Sequence, residues 1–463
     1  MKTMKNLTLQ AITSACGGQY RGDKTLLTRE IAGTVIDSRK IGPDFLYIPM
    51  KGERVDGHDF IKSVFAGGAL AALSEKELTD CPGPYILVDS TRQALIDLAG
   101  FYRRQLTIPI IGITGSVGKT STKEMIASVL SVRYRVCKTE GNFNNEIGLP
   151  LTILSIRDEH EVAVVEMGIS DFGEMHVLAG IARPDDCVIT NIGTCHLENL
   201  GDRDGVLRAK TEVFDHLSGS GTVFLNGDDD KLRTIDAVNG KAPAFFGIEG
   251  GKERPLAVSA DGIEDLGLAG TKARLLTEAG SVTVTVPIPG RHHLYNAMAA
   301  AGIGLAHGMT LSEIRDGIAS ARTIGGRNNL VTAGGILILD DCYNANPMSM
   351  RASLSVLAKA EGRKIAVLGD MGELGTEEES LHRELGCDAA RSGIDALFCA
   401  GSLSEYLAQG AKKANEMLPV FYYRTRDELL EALLSYIKKG DTVLVKASHF
   451  MEYAKIVEAL KNR

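Results

Sequence analysis

Residues Ile110–Thr122 read IIGITGSVGKTST: an apolar segment, a glycine-rich turn and a Lys-Thr pair that opens a new stretch. The β-branched run predicts a buried strand. The continuation KEMIASVL places Met125, Ile126, Val129 and Leu130 on one helical face, as a helix packed on a sheet requires. Strand, turn and helix in this order are the context of a phosphate loop. There, backbone N–H groups and the helix N-terminus meet phosphate oxygens, the Lys adds a point charge and the Thr hydroxyl reaches Mg²⁺. Thr114, Gly115, Ser116, Val117, Gly118, Lys119 and Thr120 are therefore candidate ATP- or GTP-binding residues, although Ile113 stands where the usual pattern has its first Gly.

Outward from this loop, short Val/Ile/Leu runs recur: Val162–Met167, Cys187–Ile192, Thr222–Asn226, Ile336–Asp340, Ile365–Gly369, Ala396–Ala400 and Thr442–Lys446. Such runs suit strands covered on both faces, and the helical stretches between them predict α/β layers with mostly parallel sheets. Ligands in sheets of this kind sit beyond the strands' carboxyl ends. The polar groups found there are Glu166, Asn191, Asn226, Asp340, Asp341, Asp370 and Lys446. Breaks at CPGP, before an amphipathic helix over 91–106, and at TIGGR (Thr323–Arg327) divide the chain into three domains, 1–89, 90–325 and 326–463. Segment 250–290 departs from the rhythm, and its TKARLLTEAGSVTVTV alternates like an antiparallel hairpin.

The chain has 463 residues, with 51 Lys plus Arg against 59 Asp plus Glu, a formal charge of −8. That balance disfavours a nucleic acid as main partner. The 8 Cys are scattered without metal-finger spacing, which reads as reduced thiols in the cytosol. The N-terminus lacks a solid apolar core for export, and no window is long and apolar enough to span a membrane. A cytoplasmic protein is expected.

Three downstream residues read weakly by themselves. Glu166 ends a strand beside the phosphate loop, where it can hold Mg²⁺ or equally serve as a helix cap or surface carboxylate. His196, in TNIGTCHLENLG, reads as structural or exposed. Lys210, in VLRAKTEVFDHL, reads as a solvated charge on a helix.

The motifs TGSVGKTSTKEM, GNFNNEIGLPLTIL, VVEMG, TNIGTCHLENLG, AKTEVF, PGRHHLYNAMAAA, LDDCYNANPMSM and LGDMGELG occur in this order. Together with IDSRKIGPDFLYIPMKGERVDGHDFI they closely resemble the Mur ligases of peptidoglycan synthesis, over nearly the whole chain. The match is to the type that joins D-alanyl-D-alanine to UDP-N-acetylmuramoyl-tripeptide. The resemblance implies an N-terminal UDP-binding α/β domain, a central P-loop ATPase and a C-terminal Rossmann-like α/β domain that closes on ATP and brings in D-Ala-D-Ala. It implies two Mg²⁺ sites, and a monomer is expected.

It also changes the reading of the weak residues. Lys210 matches a Lys that takes up CO₂ as a carbamate and helps bind a second Mg²⁺. His196 matches a ligand of that ion, and Thr120 and Glu166 match the site nearest the phosphates. Arg327 resembles the Arg that reaches the γ-phosphate, and Asn296 the residue that contacts adenine. Asp340 and Asp341 fall to the ribose or the inter-domain hinge. Ser38, Arg39, Asp56, Gly57 and His58 fall to the UDP substrate, and Asn142, Asn144, Asn145, Asn344 and Asn346 to the substrate cleft. The sequence departs from the family's pattern at Val117, at His293, where Asn is expected, and at Asn328, where GRNN replaces the more usual GR-Leu. In VKASHFMEY, Ala447 and His449 stand for Gly and Arg.

Overall fold

Apolar strand runs need cover on both faces, and the chain supplies it by winding helices around three separate sheets. The computed structural model describes Met4 and residues 6–249 and 254–463. The first four residues of the 250–290 segment, and residues 1–3 and 5 of the first domain, lie outside the described residues.

The first sheet holds β1 (Gln19–Arg21), β2 (Gly33–Val35), β3 (Phe45–Tyr47), β4 (Ala71–Ser74) and β5 (Tyr85–Leu87), in the order β1-β5-β4-β3-β2. All pairs are parallel except β1 with β5. The helix that follows, Thr91–Arg103, is capped by Ser90 and buries Leu95, Leu98 and Tyr102. It ends three residues earlier than the sequence pattern predicts, with Arg103 turned inward to donate to the Ala182 carbonyl at 2.7 Å.

The central sheet contains β6 (Ile110–Thr114), β7 (Val136–Lys138), β8 (Val162–Glu166), β9 (Asp186–Ile189), β10 (Val223–Asn226), β11 (Ala244–Gly247), β12 (Leu256–Asp265), β13 (Thr271–Thr277) and β14 (Gly280–Val286). Its order is β14-β13-β12-β11-β10-β9-β6-β8-β7. From β6 the chain runs to β7 and β8 on one side and then crosses to β9 on the other, so the carboxyl end of β6 is a topological switch point. The phosphate loop begins there. The helix behind it, Lys119–Leu130, fully buries Met125, Ile126, Val129 and Leu130, each contributing about 1.5–3 kcal/mol of apolar burial. The expected hairpin is β13–β14, paired from Thr271↔Val286 to Thr277↔Gly280, and β12 joins it to the parallel strands.

The third sheet holds β15 (Asn329–Ala333), β16 (Ile336–Asp340), β17 (Lys364–Gly369), β18 (Ala396–Ala400), β19 (Val420–Tyr423) and β20 (Thr442–Lys446), ordered β15-β16-β20-β17-β18-β19. Only β15 runs antiparallel to its neighbour among the described residues. Its switch point lies where β20 separates β16 from β17, and here the Lys446 ammonium meets Asp341 Oδ2 at 2.6 Å with both side chains buried. Lys446 also donates to the Asn344 carbonyl at 3.1 Å. Breaking such a pair leaves a buried carboxylate unmatched, so Lys446→Met is expected to cost about 3–5 kcal/mol in denaturant unfolding. A Lys446→Met/Asp341→Asn double variant is expected to recover part of that loss.

All eight cysteines are free thiols. No helix among the described residues is long and apolar enough to cross a membrane.

Candidate active site

The phosphate loop owes its shape to two glycines and to a clamp from the next strand. At Gly115, φ is +145°, and a Cβ would stand 2.0 Å from Thr190 Oγ1, so a side chain is excluded on both counts. Gly118 enters the helix at φ +82°. Strand β9 stops at Ile189, three residues short of the predicted Cys187–Ile192 run, because the following residues serve the loop instead. Asn191 accepts from Val117 N–H through Oδ1 and donates to the Val117 carbonyl through Nδ2, both at 3.0 Å. Its own carbonyl accepts from Ser116 N–H at 3.0 Å, and Ser116 Oγ accepts from Gly193 N–H at 2.8 Å. Lys119 folds back to donate to the Gly115 carbonyl at 2.8 Å.

This loop forms one wall of a cavity of about 720 Å³. Of the candidates, Ser116, Val117, Gly118, Lys119, Thr120, Asn144, Asn145, Glu166, His196, Asn296, Arg327, Asp341, Asn344 and Asn346 line it. The central domain supplies one side and the C-terminal domain the other. Thr114, at the end of β6, and Gly115, the first residue of the loop, do not line the cavity. Asp340 lies beneath the surface, accepting from Gly326 N–H at 2.9 Å, while Asp341 accepts from Asn328 N–H at 3.0 Å. Both carboxylates thus hold the peptide that crosses between the domains, which favours the hinge over the ribose. Asn142 is exposed and outside the cavity. Asn145 and Asn346 also act locally, accepting from Gly148 and Ser349 N–H at 2.9 and 2.8 Å at the starts of helices.

Ser38, Arg39, Asp56, Gly57 and His58 are not brought to this cavity. They lie on the first sheet's loops. Arg39 is paired with Asp37 at 2.9 Å, and Asp56 holds the His58 ring at 2.6 Å with Lys76 at 3.2 Å. These contacts hold Asp56 and Asp37 well below the usual carboxylate range, mainly through hydrogen bonds from His58 and Arg39.

Glu166 is 1% exposed, at the end of β8. Asn144 donates to its Oε1 at 2.8 Å, while its Oε2 is buried without a partner. His196 takes the left-handed conformation, φ +55°, and its Nδ1 lies 2.7 Å from Glu373 Oε2 of the C-terminal domain. Lys210 overturns the solvated reading. It is 0% exposed, its Nζ has no hydrogen-bond partner, and burial pushes its pKa down to about 8, with the Lys119 charge adding to the effect. It does not line the cavity itself, but it lies within electrostatic reach of Cys195 and of Lys119 in the phosphate loop.

No three His, Cys, Asp or Glu side chains converge as a metal site among the described residues. A Mg²⁺ that shares a nucleotide does not need three. It takes one or two protein oxygens, phosphate oxygens and water. The unpaired Glu166 Oε2, in a cavity that Thr120 also lines, fits that role. Sequence reasoning passed over Tyr343, over whose ring Arg327 stacks at 4.1 Å, and Arg203, which pairs with Asp230 at 2.5 Å. Arg203 belongs to none of the quoted motifs, whereas Tyr343 lies within LDDCYNANPMSM. The aromatic after DDC in LDDCYNANP was the available hint.

Family models match the chain as the Mur ligase family catalytic domain over residues 30–103, the Mur ligase middle domain over 113–304 and the Mur ligase glutamate ligase domain over 326–449. The chain belongs to the Mur ligase family. It is 38% identical over 464 residues to the UDP-N-acetylmuramoyl-tripeptide--D-alanyl-D-alanine ligase of Bacillus subtilis, covering 99% of this chain and 98% of that one. The fold is similar to MurF from Acinetobacter baumannii, with TM-score 0.89, 34% identity and full coverage of both chains. It is also similar to Thermotoga maritima MurF solved in complex with ADP, with TM-score 0.80, 30% identity, and 93% and 97% coverage.

Proposed function

We propose that this chain joins D-alanyl-D-alanine to UDP-N-acetylmuramoyl-tripeptide at the expense of ATP. The observation that carries this is one cavity walled by two domains, with the phosphate loop, Glu166 and His196 on one wall and Arg327 and Asn344 on the other. The Bacillus subtilis relative's activity and the Thermotoga maritima complex with ADP support the choice of substrates.

The nucleotide lies against Ser116–Thr120, its phosphates taken by loop N–H groups and by Lys119 once that side chain leaves the Gly115 carbonyl. Arg327, stacked on Tyr343, adds a planar cation from the opposite wall. Thr120 and Glu166 would hold one Mg²⁺, and His196 with a carbamate on Lys210 a second. When bound, these ions neutralise phosphate charge. The tripeptide's terminal carboxylate attacks the γ-phosphorus, ADP leaves and an acyl phosphate forms. The amine of D-Ala-D-Ala, as free base, attacks the acyl carbon; the tetrahedral intermediate expels phosphate and the nitrogen loses a proton. Both steps crowd anions, so the chain's contribution is charge neutralisation and positioning. Ser38, Arg39, Asp56, Gly57 and His58 serve the UDP end of the substrate, away from the reacting atoms. One chain supplies every wall of the cavity, so a monomer is a complete unit. Free thiols and ATP use support a cytoplasmic site of action.

Phosphate release tests the proposal. With UDP-MurNAc-tripeptide and ATP, adding D-Ala-D-Ala is expected to raise phosphate release at least about a hundredfold, roughly 2.7 kcal/mol of barrier. Arms with L-lysine and meso-diaminopimelate at the third position identify the preferred tripeptide. Equal release with glutamate as the amine, or none with any amine, overturns the proposal.

A further inference from the structure

Between the phosphate loop and the peptide that crosses to the C-terminal domain, the protein places uncharged polar side chains end to end. Thr122 donates its hydroxyl to Asn296 Oδ1 at 3.0 Å. Asn296 Nδ2 lies 3.1 Å from His293 Nδ1, and His293 Nε2 lies 3.2 Å from the side-chain amide of Asn328. His292 Nε2 meets the same amide at 3.1 Å. Thr122, Asn296, His293 and Asn328 are at most 7% exposed.

Asn328 is also held from the far side. Its N–H donates to Asp341 Oδ1, so its side chain is bonded to the central domain and its backbone to the C-terminal one. It has φ +48°, next to Gly326 at φ +78°, a pair of left-handed residues flanking Arg327. A non-glycine residue stays in that conformation only where its surroundings insist on it.

The chemistry makes this chain all-or-none. Both ring nitrogens of His293 meet side-chain amides, and a neutral imidazole accepts at one nitrogen and donates at the other, so it takes a proton from Asn296 Nδ2 and needs the Asn328 amide to turn its otherwise unpartnered Oδ1 toward the ring. Burial, with His292 alongside, keeps the ring neutral. A hydrocarbon side chain would fill the volume but strand an amide on each side. In such a chain each donor fixes its neighbour's role, so a ligand that bonds one member biases the rest. Asn296 and Asn328 both face the cavity.

We propose that His293 and Asn328 are positioning residues that tie occupancy of the nucleotide pocket at Asn296 to the placement of Arg327. This rests on reading the cavity as an ATP site. Two of the positions where the sequence departs from the family's pattern, His293 and Asn328, are in contact with one another here, which is what a matched polar pair requires.

Hydrogen exchange read by mass spectrometry over residues 323–329, with and without Mg·ADP, tests the link, and calorimetry measures ADP affinity alongside. Mg·ADP is expected to slow exchange in the native chain about tenfold. In His293→Phe and Asn328→Gly the slowing falls below about twofold, with ADP affinity within threefold and kcat down about tenfold; the double variant is no worse than either single one, and His293→Gln restores most of the loss. Gly adopts the left-handed conformation freely, so Asn328→Gly carries the test if His293→Phe does not fold. Native-like slowing in either folded variant, no slowing in a native chain that binds ADP, or multiplicative losses in the double variant overturn the proposal. A native chain that does not bind ADP rejects the ATP reading itself, and this proposal with it.

Discussion

Lys210→Ala is expected to lower kcat at least about a thousandfold, roughly 4 kcal/mol of barrier, with the fold intact and with no recovery in millimolar bicarbonate. An amine must be unprotonated to attack CO₂, and a surface Lys with a pKa near 10.4 is rarely so at neutral pH. Lys210 differs because it is sealed from water, unpartnered and pushed down to about 8 by burial. On the proposed function this is the amine expected to take up CO₂. That amine burdens the fold: below about pH 8 the native state must either carry a buried, unpaired ammonium or remain modified. The sign follows from proton binding. Between about pH 8 and 10.5 the unfolded chain holds more protons than the native one, so native stability rises with pH across that window and levels off above it. Lys210→Ala should lack that rise, which thermal unfolding in bicarbonate-free buffer at pH 7 and pH 9.5 will read. Full activity in the variant would remove the carbamate from the mechanism.

Glu166→Gln is expected to cut kcat by about a hundredfold or more, ~2.7 kcal/mol, and to raise the magnesium concentration needed for half-maximal rate. The isosteric amide can still pair with Asn144, but it brings no charge to the site. The same change should raise the unfolding midpoint, because a buried carboxylate oxygen without a partner is costly and an amide is less so. Loss of activity with a gain in stability separates a functional role from a structural one. A parallel loss of both would mean that Glu166 serves mainly to tie β8 to the Asn144 loop.

What was legible in the sequence was local. The apolar runs announced β6, β8, β16, β18 and β20 because strands covered on both faces leave no polar alternation, and the glycine pattern announced the loop because only Gly fits beside Thr190. Lys210 was not legible from its own segment. Val206 and Val213 suggest a buried face, yet nothing nearby says that a lysine on that face lacks an acid. The Asn191 clamp was hidden inside what reads as strand. The link from Lys446 to Asp341 spans 105 positions, and that from His293 to Asn328 spans 35. Such bonds arise from how sheets are wound, not from spacing along the chain. The family resemblance supplied candidates for the distant partners but not their geometry. It offered Asp340 and Asp341 to the ribose or the inter-domain hinge without choosing, and the bonds that both make to the crossing peptide are tertiary facts.

That peptide passes between the central and C-terminal domains once, over residues 321–328. A product rooted on one wall and extended by a group delivered from the other is trapped while the walls face each other. On the proposed function, departure of that product is expected to go with a swing about these eight residues. A molecule that merely bridged both walls, without resembling anything reactive, would jam the machine as surely as one that mimicked the chemistry.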